Sequence, residues 1–324
     1  MSAYLLRRVA YALAVLLGVN LVTFVLFFAI NTPDDQARLQ LGRRVTAEAI
    51  ERWKAEHGYD RPLFYNPVAR GLAQATDTVF FDTSRRAAIF DFGRTNEGVN
   101  IGEEIRQRIV PSLLIGIQVF VLAIGAAVLL ALGMALFRAT RLDAAGVALL
   151  VAMMSISTLF YIIVGQFVVG RVLQLTPISG FAPGGGAEAF LVLPIIVLIV
   201  SYLGPEARLF RTIFLEELGK DYVRTARAKG LSEWVVLGRH VLRNSLIPIV
   251  TSSGAMLPAV ITSTIVTETF FAIPGLGNFT IEGITQQDFG IVRAMVFVGS
   301  VLYIVSYLLV DIIYTMVDPR IRLQ

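Results

Sequence analysis

Apolar stretches of about 20 residues or more recur along this chain, and each is long enough to cross a hydrocarbon core roughly 30 Å thick. They read as about six spans: Val9–Ile30, Leu113–Phe137, Ala144–Val169, Phe190–Leu209, Ile247–Phe271 and Val292–Val317. In lipid every backbone polar group must be satisfied internally, so spans of this length and apolarity are helices. The fold class that follows is an all-α integral membrane protein. Composition agrees: 56% of residues are hydrophobic and 16% charged, against about 45–50% and 25% in soluble domains.

The first apolar run follows Arg7 and Arg8 as a signal peptide would, but it is too long for a signal core and no small-residue cleavage site follows before Pro33. It reads as a retained span, residues 1–30. Arg7/Arg8, Arg138/Arg141, the block from Arg208 to Arg243 and Arg320/Arg322 fall on one side of the membrane if the spans alternate. The positive-inside rule makes that side cytoplasmic, with both termini there. Residues 31–110 then form an extracytoplasmic segment between the first and second helices, and 111–324 a core transmembrane domain with a cytoplasmic loop at 211–247. The net charge of +4 reflects this topology and attraction to anionic lipid. Nucleic acid is not a partner, since the basic residues neither share a soluble face nor interleave with aromatics.

With no cysteine, disulfides, thiolate metal sites and a cysteine nucleophile are excluded. In the external segment Thr46 opens a helix that runs to His57 and closes at Gly58. A second begins near Asn100 and runs towards Pro111, while Gln74–Asp91 shows weak periodicity. Pro62, Pro67 and Gly71 interrupt the stretch between them.

No cofactor is called for. A nucleotide-hydrolysing chain needs a phosphate loop ending in Gly-Lys-Ser/Thr. Lysine occurs at Lys54, Lys220 and Lys229, and Asp221 follows Lys220. A gradient-driven carrier keeps ionisable groups in mid-span, whereas Glu188, Glu206, Glu268, Arg293 and Asp311 fall near predicted boundaries. Asp311, the deepest, reads as a polar group pairing with a neighbouring helix or subunit. A Ser–His intramembrane protease has no base near Ser252 and Ser253, the histidines being His57 and His240. A stand-alone channel or carrier is the remaining rival; it would transport without an ATPase.

The polar run Tyr222–Pro248 is the segment that can be gripped by another protein. Tyr222–Lys229 favours helix, Gly230 permits a sharp turn, and Ser232 is placed to cap a second helix through Arg239. Small Thr225, Ala226 and Gly230 present backbone to a docked partner, ringed by Arg224, Arg227 and Lys229. A loop made for lipid has no need of those small residues.

This loop resembles the EAA loop of ABC importer permeases, in the form found in the dipeptide/oligopeptide permease family: RTARAKGLS at Arg224–Ser232, then His240-Val241-Leu242-Arg243-Asn244. Arg224, Thr225 and Ala226 take the Glu-Ala-Ala places and Gly230 the Gly. Leu5–Phe27, Gly58–Leu63 and Phe92–Thr95 are similar to the family's corresponding segments, as are Glu268–Gly277 (ETFFAIPGLG), Leu309-Val310-Asp311 and Asp318–Arg322. Leu72–Ile89 has no match.

The resemblance implies the first, B-type, of two paired permease subunits with the type I importer fold. Its partners would be a second homologous permease subunit forming a heterodimer, two ABC ATPase subunits and an extracytoplasmic solute-binding protein. The ATPase-coupling loop would be Arg224, Thr225, Ala226, Lys229, Gly230, Leu231 and Ser232. Glu268, Phe271, Pro274, Gly275, Gly277 and Asp288 would lie near an external gate or pathway. The cargo implied is di- or oligopeptides, with nickel chelates, glutathione or haem as alternatives.

Overall fold

The computed structural model describes residues 2–42, 45–182 and 186–317. In chain order its helices are α1 (Ser2–Phe24), α2 (Pro33–Leu41), α3 (Ala47–His57), α4 (Ala73–Thr76), α5 (Val79–Ala88), α6 (Ile101–Leu136) and α7 (Arg141–Met154). There follow α8 (Thr158–Gly165), α9 (Ala187–Leu218), α10 (Asp221–Ala228), α11 (Glu233–Val235), α12 (Leu242–Phe271), α13 (Leu276–Thr285) and α14 (Phe289–Val317). π-helical turns extend α1 through Val25–Ile30 and α8 through Gln166–Val172, and join α11 to α12 through Val236–Val241. The Asp318–Arg322 motif lies outside the described residues.

Among the described residues four helices are long and apolar enough to span a bilayer, or up to six if each of two bent pairs counts as one span. The all-α, multi-span reading holds, with local corrections. Ala144–Val169 is not one straight span: α7 and α8 meet at 93°. Ser155 stands at the C-cap of α7, its hydroxyl donating to the Val151 carbonyl at 2.9 Å, and extended Ser157 caps α8 by accepting from the Phe160 amide at 3.3 Å. A capping serine with extended backbone thus starts a new helix at a bend that holds neither Pro nor Gly. The helix that starts beside Asn100 does not stop at Pro111; it runs on as α6. Proline orphans only the carbonyl four residues back, here that of exposed Gln107. Helix α9 continues nine residues past the expected end at Leu209, because Phe210 and Phe214 are fully buried beyond it.

The chain divides into two compact units, residues up to Ile109 with Phe279–Ile304, and Val110–Asn278 with the stretch from Val305 on. In the first, α2 starts on a capping box of Thr32 and Asp35 with Pro33 in its first turn. Helix α3 is capped by Thr46 and ends at left-handed Gly58. Ala37, Ile50 and Trp53 form one small core, and Phe24, Phe28 and Val79 another. The unmatched stretch Leu72–Ile89 is helical. Thr78 caps α5 through the Phe81 amide, and Asp82 takes Arg61 and Arg86, both at 3.1 Å.

In the second unit α6 buries Ala123, Ala127 and Ala131 completely. Alanines four apart on one face let neighbouring backbones approach, the usual means of packing helices in lipid. One core gathers Leu150, Ala207, Phe210, Phe214, Val223 and Val241. A second holds Ile115, Val119, Ile162, Leu193, Leu198 and Val260.

Candidate functional site

Helix α10 and its turn stand on the first of these cores. Val223 and Ala226, three residues apart, share the buried face of α10. Ala226 therefore faces inward, not toward a partner as its small size alone led one to expect. Arg224, Thr225, Lys229, Gly230, Leu231 and Ser232 remain exposed on the other side. Gly230 has φ +78°, the left-handed conformation glycine adopts freely, and a Cβ built there would meet nothing within 4 Å.

Two clamps make this element stiff. At its start, the Glu217 carboxylate accepts from Lys220 Nζ and from the Tyr222 hydroxyl, each at 2.5 Å. Burial, and then the bond to Glu217, hold the Tyr222 phenol above its ordinary pKa, so it stays a neutral donor. Across the Gly230 turn, Arg227 grips Glu233 bidentately at 2.7 and 3.0 Å. Ser232 occupies the position expected of a cap with extended backbone, yet its side chain makes no capping bond. Nor does the second helix end at Arg239: α11, the π-turn and α12 follow one another without a gap, so the turn is joined directly to a long helix.

Behind the element, Arg211 holds Asp143 through Nε–Oδ1 at 2.8 Å and Nη2–Oδ2 at 2.7 Å, tying α9 to the start of α7. Asp143 is 6% exposed, and removing one partner of a buried pair strands the other. Asp143→Ala is expected to destabilise the protein by about 3 kcal/mol, read as a lowered melting temperature of the purified subunit. An unchanged melting temperature would contradict that role. Trp234, 71% exposed, stands beside exposed Leu231 and Val235. Sequence reasoning passed over Trp234, although a lone Trp in a polar run was the visible signal.

The segment Glu268–Gly277 is a tight corner between α12 and α13. Glu268 is fully buried, and its Oε2 accepts from the amides of Gly277 at 2.7 Å and Asn278 at 3.2 Å. Ala272 takes the left-handed conformation at the end of α12. The Leu276 amide donates to Ser112 Oγ at 2.8 Å, and the Phe271 carbonyl accepts from the Gly180 amide at 2.8 Å. Phe271, Gly275 and Gly277 are buried, while Pro274 is half-buried. Asp288, in the other unit, is buried and accepts from the amides of Asn96 at 2.6 Å and Ile291 at 3.2 Å, opening α14. Asp311 lies half-buried on α14. Among the described residues no group of three or more His, Cys, Asp or Glu could hold a metal ion.

Residues 108–323 match the family described as the inner membrane component of binding-protein-dependent transport systems, and residues 1–86 match that family's N-terminal region. The chain is 32% identical over 333 residues to the dipeptide transport system permease protein of Bacillus subtilis (strain 168), covering 100% of this chain and 99% of that one. It is 31% identical over 328 residues to a putative peptide transport system permease protein of Brucella abortus (strain 2308), covering 99% of each. The glutathione transport system permease protein of Salmonella choleraesuis (strain SC-B67) is 31% identical over 330 residues, again 99% of each.

Proposed function

Because the chain belongs to the binding-protein-dependent transport inner membrane component family and is thus an ABC permease subunit, we propose that it forms half of a peptide-translocation pathway opened through residues 211–247. The observation that carries this reading is the exposed Gly230 turn, clamped at both ends and continuous with α12. A rigid lever needs all three properties: a surface to grip, stiffness, and a direct connection to the spans.

The partners are a second homologous permease subunit, two ABC ATPase subunits and an extracytoplasmic solute-binding protein. ATP binding to the ATPases supplies the differential affinity that any conformational shift requires. Their closure moves the Gly230 element as a body, and the span bundles rock between inward- and outward-open states. Hydrolysis resets the cycle. The chain sits in the bacterial plasma membrane with both termini cytoplasmic and residues 31–110 outside. There Asp60, Arg61 and Pro62 offer a docking surface, and the Pro274–Gly277 corner and Asp288 lie toward the external mouth. The peptide relatives favour di- or oligopeptides as cargo. The Salmonella relative makes glutathione the second reading.

Trp234 adds an apolar anchor to the basic rim, and exposed aromatic residues dominate interface energetics. Trp234→Ala is expected to weaken ATPase binding to the reconstituted permease pair by roughly 2 kcal/mol, about thirtyfold. Titration of the ATPase onto nanodisc-embedded permease measures this directly; unaltered affinity would remove Trp234 from the docking face.

A further inference from the structure

The first unit encloses a cavity of about 530 Å³ whose wall includes Phe28, Trp53, Tyr59 and Arg293. Its volume lies within the ~300–1,000 Å³ typical of small-molecule sites. Arg293 is held there without a carboxylate. Its Nε donates to the Phe289 carbonyl at 3.2 Å and its Nη2 to the Tyr59 hydroxyl at 2.7 Å, and the guanidinium lies over the Phe28 ring, 4.7 Å from the centroid. Its Nη1 is buried with no hydrogen-bond partner. Arg293 as a residue is half-buried, but this one buried N–H is left without an acceptor, and a charge-assisted donor of that kind is best answered by an anionic oxygen.

The nearby carboxylates do not supply one. Asp82 is engaged by Arg61 and Arg86, and Asp288 by the amides of Asn96 and Ile291. Glu56 and Asp91 also line the cavity; both are exposed and take part in none of the ion pairs among the described residues, Asp91 accepting from the Gly93 amide at 3.2 Å. The wall thus offers a guanidinium with one open N–H, aromatic surface and two exposed carboxylates outside any ion pair among the described residues. That pattern complements a small zwitterion.

We propose that this cavity binds a short peptide, its free carboxylate on Arg293 and its ammonium group toward Glu56 and Asp91. The zwitterion follows from the charges; the choice of a peptide rests on the cargo proposed above.

Trp53 and Trp234 are the chain's two tryptophans, so a Trp234→Phe background leaves Trp53, in the cavity wall, as the reporter. The full-length chain in phosphatidylcholine nanodiscs is titrated with trialanine and with trialanine C-terminal amide. Trialanine is expected to give a saturable change in Trp53 emission, with affinity at least tenfold weaker for the amide and for Arg293→Gln. No saturable change with trialanine, or equal affinity for acid and amide, would overturn the proposal; the acid–amide comparison needs no substitution in the cavity. Binding is read without any ATPase present. Its failure would leave ATP-driven import untouched, and a failure of import would leave the binding result standing.

Discussion

Gly230→Trp is expected to abolish most peptide-stimulated ATP hydrolysis while the subunit still inserts and pairs with its partner permease. The two halves of that result have separate causes. Within the subunit, a Cβ at 230 meets nothing within 4 Å and the position is exposed, so the main local cost is the left-handed backbone, φ +78°, roughly 1–2 kcal/mol. Within a docked cleft packed to interior density, an indole has nowhere to go. Loss of an interface hot spot costs about 2 kcal/mol or more, roughly thirtyfold in affinity. Gly230→Ala carries the backbone strain without the bulk and is expected to keep most coupling. Wild-type stimulation in Gly230→Trp would show that nothing grips this turn.

Gly277→Ala tests the opposite kind of glycine. A Cβ there would overlap the backbone of Ile265 and press on the Glu268 carboxylate. Backbone cannot rotate aside as a side chain can, so the start of α13 must swing away from α12. That movement breaks the bonds from the Gly277 and Asn278 amides to Glu268. Overpacking costs about 1–3 kcal/mol and loss of the acceptor of the buried Gly277 amide a further ~1–3 kcal/mol. The variant is expected to lose about 3 kcal/mol or more and to accumulate poorly in membranes, with Glu268→Ala showing a similar loss through the same two amides. Both are measured as melting temperature and yield of detergent-purified subunit. Wild-type stability in Gly277→Ala would mean the corner is not the rigid element described.

The helices whose ends are chemically marked were legible in the sequence. Thr46 and Gly58 bracket α3 because a hydroxyl at one end and a left-handed glycine at the other satisfy orphaned backbone groups. The α2 capping box, Thr-Pro-Asp-Asp, was equally visible and went unread. Apolar length marked where the spans run, among the described residues four single helices and up to six spans if each bent pair is one, but not their shapes. Hydropathy is continuous across Ser155–Ser157, so a 93° bend at which Ser157 caps a new helix leaves no trace in it.

The turn at Gly230 was readable from one residue type. The face of α10 that would meet a partner was not, because Ala226 could be assigned inward only once Val223 and the core beneath it were placed. The partners of Glu268 were hidden for a related reason: they are backbone amides nine and ten residues further on, and backbone carries no sequence signature. Arg211 and Asp143, 68 residues apart, are invisible as a pair until α9 lies against α7.

The claim beneath all of this is that the subunit is a passive gate moved from its cytoplasmic side. Uptake of a radiolabelled dipeptide into proteoliposomes measures it most directly, comparing vesicles with this chain alone to vesicles with both permeases, the ATPases, the binding protein and ATP. Accumulation above the external concentration is expected only in the complete, ATP-supplied vesicles. Concentrative uptake by the chain alone would contradict the account.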